Sequence, residues 1–175
     1  MKKSLHVLVL LVIILLTTQC QQTGKDGTSA SDEQMEETAS NIAVIDSLVA
    51  ILASNQDTYS LQDSIQITFT VNNPTEDTLK FTQYHTPFEG FISNFLEVKD
   101  SAGNEVKYIG AMAKRVSPPP AETYHTLAPG EQESISFDLK KGYALEKPGT
   151  YTLEYTGGLI SGIASGEILQ IEIVE

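Results

Sequence analysis

The side chains of this 175-residue chain best suited to chemistry are its three histidines and its twenty-three acids. His6 lies in the apolar N-terminal stretch, while His85 and His125 stand alone, forty residues apart. A catalytic zinc site needs three protein ligands and an open position for water. A zincin supplies them from H-E-x-x-H, two imidazoles one helical turn apart around a glutamate base. No such spacing occurs here. A looser set is conceivable, with His85 and His125 meeting beside Glu89 or Glu122, since two imidazoles and a carboxylate suit zinc. The commoner role of a lone loop histidine is a satisfied hydrogen bond. G-x-S-x-G, the P-loop and G-x-G-x-x-G are also absent. The Gly-rich run TGGLISGIASGE, Thr156 to Glu167, opens no helix whose N-terminus could hold phosphate. It reads as a bulged or flexible hairpin connection. The expectation is therefore no catalytic residue, no metal and no cofactor.

One stretch still concentrates unusual residues: QYHTPFEGF, Gln83 to Phe91. Pro87 fixes φ and withholds an amide, and Gly90 permits a positive φ, as a chain turning between two sheets requires. Phe88 and Phe91 are placed to pack beneath such a corner. Glu89 can accept from backbone amides or pair with Arg115, the only arginine in the chain. A carboxylate–guanidinium contact is strong and directional enough to lock a loop. His85, Thr86, Pro87, Glu89 and Gly90, with Lys114 and Arg115, are thus the candidate loop, read first as structure and second as a binding surface. Pro118 to Pro120 favour a stiff extended connection just after it.

The elements that must position this loop are strands. SLVAILAS (Ser47 to Ser54) is a first apolar run. SIQITFTVNN alternates Ile65, Ile67, Phe69 and Val71 against polar residues, the period of a half-buried strand. LKFTQY follows a turn in NNPTEDT. FLEVKD and EVKYIG flank SAGN, a hairpin loop. ESISFDL alternates Ile135, Phe137 and Leu139. GTYTLEYTG alternates Tyr151, Leu153 and Tyr155. EILQIEIVE alternates Leu169, Ile171 and Ile173, with Ile168 out of phase. About eight short strands separated by turns, with no helical periodicity in the domain, predict an all-β, immunoglobulin-like antiparallel β-sandwich and argue against a βαβ architecture. Tyr151 and Tyr155 are placed like the tyrosine corner of such folds.

The N-terminus supplies an address. Lys2 and Lys3 precede an unbroken apolar run, Val7 to Leu16, too short for a comfortable membrane span of about 20 residues and typical of a secretory signal. Cys20, the single cysteine, follows where cleavage is expected. The pattern resembles a bacterial lipoprotein signal, although Gln19 stands where a small residue is usual. The resemblance implies a signal peptide over residues 1–19, lipidation of Cys20 and residence in the bacterial cell envelope, at the outer membrane, through a lipid anchor. Gln21 to Asn41 is polar, acidic and free of aromatics, and reads as a disordered tether. The sandwich domain is expected over residues 42–175. The net charge of −12 argues against nucleic acid and against docking on anionic lipid.

In order along the chain, TPFEG, the Tyr108-x-Gly110 pair, Lys114-Arg115, the Leu127-x-Pro129-Gly130-Glu131 turn, Asp138-Leu139 and Gly149-x-Tyr151-x-x-x-Tyr155 form a pattern. It resembles the non-catalytic N-terminal domain that precedes the zinc protease domain in peptidyl-Lys metalloendopeptidases of the deuterolysin family. Phe88 replaces the family's leucine in the first motif. The resemblance covers Ser47 to Tyr155 and implies an immunoglobulin-like sandwich. The protease half, and with it every catalytic residue, has no counterpart here. The function expected is a membrane-anchored accessory module that binds an unknown protein or glycan partner. The alternatives are a protease-associated inhibitor or chaperone-like domain, or a part of a metalloendopeptidase system.

Overall fold

The computed structural model describes residues 46–175. Cys20 and the segments expected to be a signal peptide and a tether lie outside these residues. Ten strands follow one another: β1 (Leu48–Ser54), β2 (Thr58–Ser60), β3 (Gln66–Asn72), β4 (Leu79–Thr82), β5 (Leu96–Asp100), β6 (Tyr124–Leu127), β7 (Gln132–Asp138), β8 (Gly149–Tyr155), β9 (Ile163–Ala164) and β10 (Leu169–Val174). One sheet has the order β7-β3-β1-β9, a second the order β2-β10-β8-β5, and β4 pairs with β6 in a separate ribbon. The fold is all-β and sandwich-like.

The alternation in the sequence becomes the core directly. Ile67, Phe69 and Val71 of β3 are fully buried, with Ile65 just before them. Leu48 and Ala50 of β1, Leu96 and Val98 of β5, Leu153 and Tyr155 of β8 and Ile171 and Ile173 of β10 join them in one cluster. A period of two sends every second side chain inward. Ile168, out of phase, is correspondingly exposed. On β7, at the edge of its sheet, Ile135 and Phe137 are only half-buried. The rings of Phe69 and Tyr155 meet 5.0 Å apart, joining the two sheets. Tyr151 donates its hydroxyl to the Lys147 carbonyl at 2.8 Å, the short-range tie expected of a tyrosine corner.

The structure departs from the expected strands in four places. Three short strands, β2, β6 and β9, have too few residues to show a period. EVKYIG is not a strand. Its hairpin turn forms, with the Asp100 carboxylate accepting from the amides of Ala102 and Asn104. The chain follows β5 only as far as Val106, whose amide donates to the Val98 carbonyl. Tyr108 then bridges to Tyr143. Its hydroxyl bonds the carbonyls of Ser93 and Ala111, which pulls the segment away from the sheet. The Gly-rich run is not a simple connection either: it makes one helical turn, α1 (Gly158–Ser161), and then β9. The central strand pairs are antiparallel, while the marginal pairs β1–β9 and β10–β2 are parallel.

Phe69 touches Phe88 and Tyr155 from the middle of the core. Phe69→Ala is expected to lower the unfolding free energy by about 3–5 kcal/mol, read as a fall in the urea midpoint at unchanged m-value.

Candidate functional site

Gln83 to Phe91 connects β4 of the ribbon to β5 of the second sheet, and it is a built corner. The Gln83 amide donates to the Thr123 carbonyl at 2.8 Å, fixing its entry. Thr86, fully buried, donates its hydroxyl to the Gln83 carbonyl and accepts from the Phe88 amide. It thereby caps a single 3-10 turn, Pro87–Glu89, with proline at the first position, where no amide is needed. Gly90 closes the turn at φ 72°, its amide donating to the Pro87 carbonyl. Phe88 rests on Phe81, Phe69 and His125, and Phe91 stacks on Phe95. The residues expected to pack beneath the corner do so.

His85 has φ 56°, the left-handed region, although it is not glycine. Such a conformation costs about 1–2 kcal/mol and persists only where the surroundings impose it. Here its amide donates to Glu89 Oε1 at 2.9 Å, and its carbonyl accepts the Tyr155 hydroxyl at 3.2 Å. The Tyr155 hydroxyl also bonds Ser161 Oγ at 2.7 Å.

Glu89 is the charged centre of the corner. Its side chain is 3% exposed, and Arg115 Nη2 lies 2.5 Å from Oε1. Oε1 also accepts from the Ser93 hydroxyl at 2.6 Å. The guanidinium is poorly aligned for a hydrogen bond, and Oε2 has no hydrogen-bond partner among the described residues. The contact is thus an ion pair more than a bidentate fork. The Arg115 guanidinium also sits over the Tyr84 ring, 4.6 Å from its centroid, a cation–π contact. Desolvation raises the hydroxyl pKa values of Tyr155 and Tyr108, and the Glu89 charge adds to both shifts. Lys114 is exposed beside this pair. Sequence reasoning anticipated both the Glu89–Arg115 pair and the amide contact. It missed Ser93 and Tyr84, which carry no local signal, because only the folded chain places them against the pair.

The two histidines do not converge on a shared carboxylate. His125 stacks on Phe81 at 4.8 Å and 15°. Its Nδ1 lies 3.0 Å from both carboxylate oxygens of Glu133, eight residues on across the β6–β7 turn. Glu89 is committed to Arg115. Among the described residues, no group of three or more His, Cys, Asp or Glu side chains is arranged to hold a metal. The corner orders its backbone around the buried Glu89 carboxylate.

Apolar side chains are exposed in the segment beside the corner. After Tyr108 the chain runs extended beside the corner, with the Ala111 and Ala113 amides donating to the Phe91 and Ile92 carbonyls at 2.8 Å each. Ile92, Ile109, Met112 and Val116 are left exposed, Met112 at 71%.

No family model matches the chain, and no curated protein matches it. Among solved structures it is similar to part of the β-glucosidase EmGH1 of Erythrobacter marinus, at 16% identity and TM-score 0.40, over 73% of this chain and 15% of that one. It is similar to the sporulation control protein Spo0M of Bacillus subtilis at 14% identity and TM-score 0.38, over 75% and 51% of the two chains. A β-glucosidase from Listeria innocua aligns at 11% identity and TM-score 0.33, over 72% and 16%. The chain therefore spans less than two thirds of the length of each.

Two outcomes follow from the corner. Arg115→Ala leaves a carboxylate buried without its cation and is expected to cost about 3–5 kcal/mol of stability. The double variant Arg115→Ala/Glu89→Gln should recover part of that loss, and a urea titration of the three proteins reads it. The second outcome concerns alkaline pH. Desolvation, the largest cause in each case, raises the Tyr143 and Tyr155 hydroxyls well above the usual tyrosine value. The unfolded chain then ionises first, near pH 10. The stabilisation is complete below that pH and is lost as pH rises beyond it, at up to about 1.4 kcal/mol per unit for each tyrosine. Urea midpoints measured from pH 8 to 11 should fall above pH 10, and less steeply in Tyr143→Phe/Tyr155→Phe.

Proposed function

We propose that the protein is a lipid-anchored accessory module of the bacterial cell envelope, a β-sandwich without catalysis of its own that engages a protein partner. The observation that carries this reading is the exposure of the apolar side chains Ile92, Ile109, Met112 and Val116 in and beside the segment that follows Tyr108. That segment is held in place by the backbone bonds of Ala111 and Ala113 to the corner. An apolar patch rimmed by polar residues marks an interaction surface, and here Lys114 supplies a charge at the rim. The Glu89–Arg115 pair and the stacked His125 support a positioning role for the candidate loop residues. The lipid anchor rests on the signal and the lone Cys20. The resemblance to a protease's non-catalytic N-terminal domain fits an accessory task.

Two readouts test the proposal in the cells that make the protein. Cys20→Ser should move it from the membrane to the soluble fraction; retention on the membrane would refute the anchor. A photo-crosslinking residue at position 112 should give a discrete adduct with one protein, lost in Val116→Asp, whereas a probe at Glu154 on the second sheet gives none. Equal labelling from both positions would refute this segment as the contact surface.

A further inference from the structure

We propose that the edge of β1 at Leu52 to Ser54, unpaired among the described residues, is a strand-addition site for an extended apolar peptide segment flanked by lysines. β9 pairs with β1 only at Leu48 and Val49. From Leu52 to Ser54, β1 has β3 on one side and, among the described residues, no strand on the other; Gly166 covers the edge at Ala50. Gly166 leans against this edge so closely that a Cβ there would lie 1.9 Å from the Ala50 carbonyl oxygen. That carbonyl therefore points out of the sheet. Backbone direction alternates along a strand, so the amides and carbonyls of Leu52 and Ser54 point out as well. Beside them lies a groove of about 560 Å³ lined by Val49, Ile51, Leu52, Ala164, Ser165 and Glu167. Edge strands are usually protected by charge, proline or a bulge. The β1 sequence LVAILAS contains no charged residue and no proline, and Ile51 is 45% exposed.

The chemistry of the edge specifies its occupant. An open row of amides and carbonyls takes another extended backbone, and alternate side chains of that backbone enter the groove beside it. Glu167 lines the groove, and the chain as a whole carries a net charge of −12. Complementary charge favours a lysine-flanked segment and disfavours a second acidic copy.

The test uses the purified full chain in mild detergent and a fluorescein-labelled peptide of sequence Lys-Val-Thr-Val-Thr-Val-Lys. Anisotropy should show saturable binding. Methylating the peptide amides along one edge should weaken it at least tenfold, and methylating the other edge should change it less than twofold. Ser54→Pro removes one outward amide while sparing the β3 ladder, and should weaken binding at least tenfold with the thermal midpoint retained. Ile51→Lys, which leaves the backbone intact and repels the lysines, should do the same and decides the matter if Ser54→Pro does not fold. The proposal is overturned by absence of saturable binding, by equal binding of the two methylated peptides, or by unchanged affinity in folded Ser54→Pro or Ile51→Lys. It is likewise overturned if sedimentation shows a dimer that Ile51→Lys dissociates, since a second copy would then hold the edge.

Discussion

Tyr155 joins the interior of this domain to its surface. Its ring lies 5.0 Å from Phe69 between the two sheets, and its hydroxyl reaches past the end of β8 to the His85 carbonyl and to Ser161. An aromatic with a polar tip suits this position: the ring contributes buried apolar area, and the hydroxyl satisfies groups that would otherwise be buried unpaired. That hydroxyl bonds both the left-handed His85 and Ser161 of the α1 turn. The corner is therefore held from beneath by the core, through one side chain, as well as by its own local bonds.

The ion pair at Glu89 works differently. Removing a carboxylate from water costs several kcal/mol, and a nearby guanidinium returns that only in part. The pair is better understood as a positioning device than as a source of stability. Glu89 Oε1 gathers the His85 amide, the Ser93 hydroxyl and Arg115 at one point. The corner from His85 to Ser93 and the distant Arg115 must consequently be in register before the charge is satisfied. The extended run from Ile109 to Val116 is drawn to the corner by this pair and by its backbone bonds to Phe91 and Ile92. Its exposed apolar side chains are presented from a fixed frame. A surface that is ordered before binding loses less conformational entropy on binding.

The same commitments fix the surroundings of the candidate residues. Glu89 is buried and shared, and His125 is stacked and bonded to Glu133. Glu89 Oε1 is taken up by its three contacts, and the Glu133 carboxylate fixes the orientation of the His125 ring through Nδ1. The described surface offers apolar side chains near the corner and unpaired backbone at β1. Both are features that favour association with another chain.

Alternation alone was enough to read the sandwich. Ile65 to Val71, Tyr151 to Tyr155 and Ile171 to Ile173 declare their buried faces because a strand turns every second side chain the same way, and no longer-range information is needed. Pro87, Gly90 and the pairing of the single arginine with Glu89 were legible for a similar reason: proline, glycine and a lone cation each have few conformational or electrostatic options. The short strands β2, β6 and β9 were not legible, since two to four residues carry no period and their pairing is decided by the neighbours they meet. EVKYIG carries a reasonable strand pattern, yet Tyr108 finds its partners at Ser93, Ala111 and Tyr143. Contacts distant in sequence outweighed the local preference there. The contact of Tyr84 with Arg115, the pairing of His125 with Glu133 and the open edge of β1 likewise come from tertiary structure, because each is a relation between segments that only folding brings together.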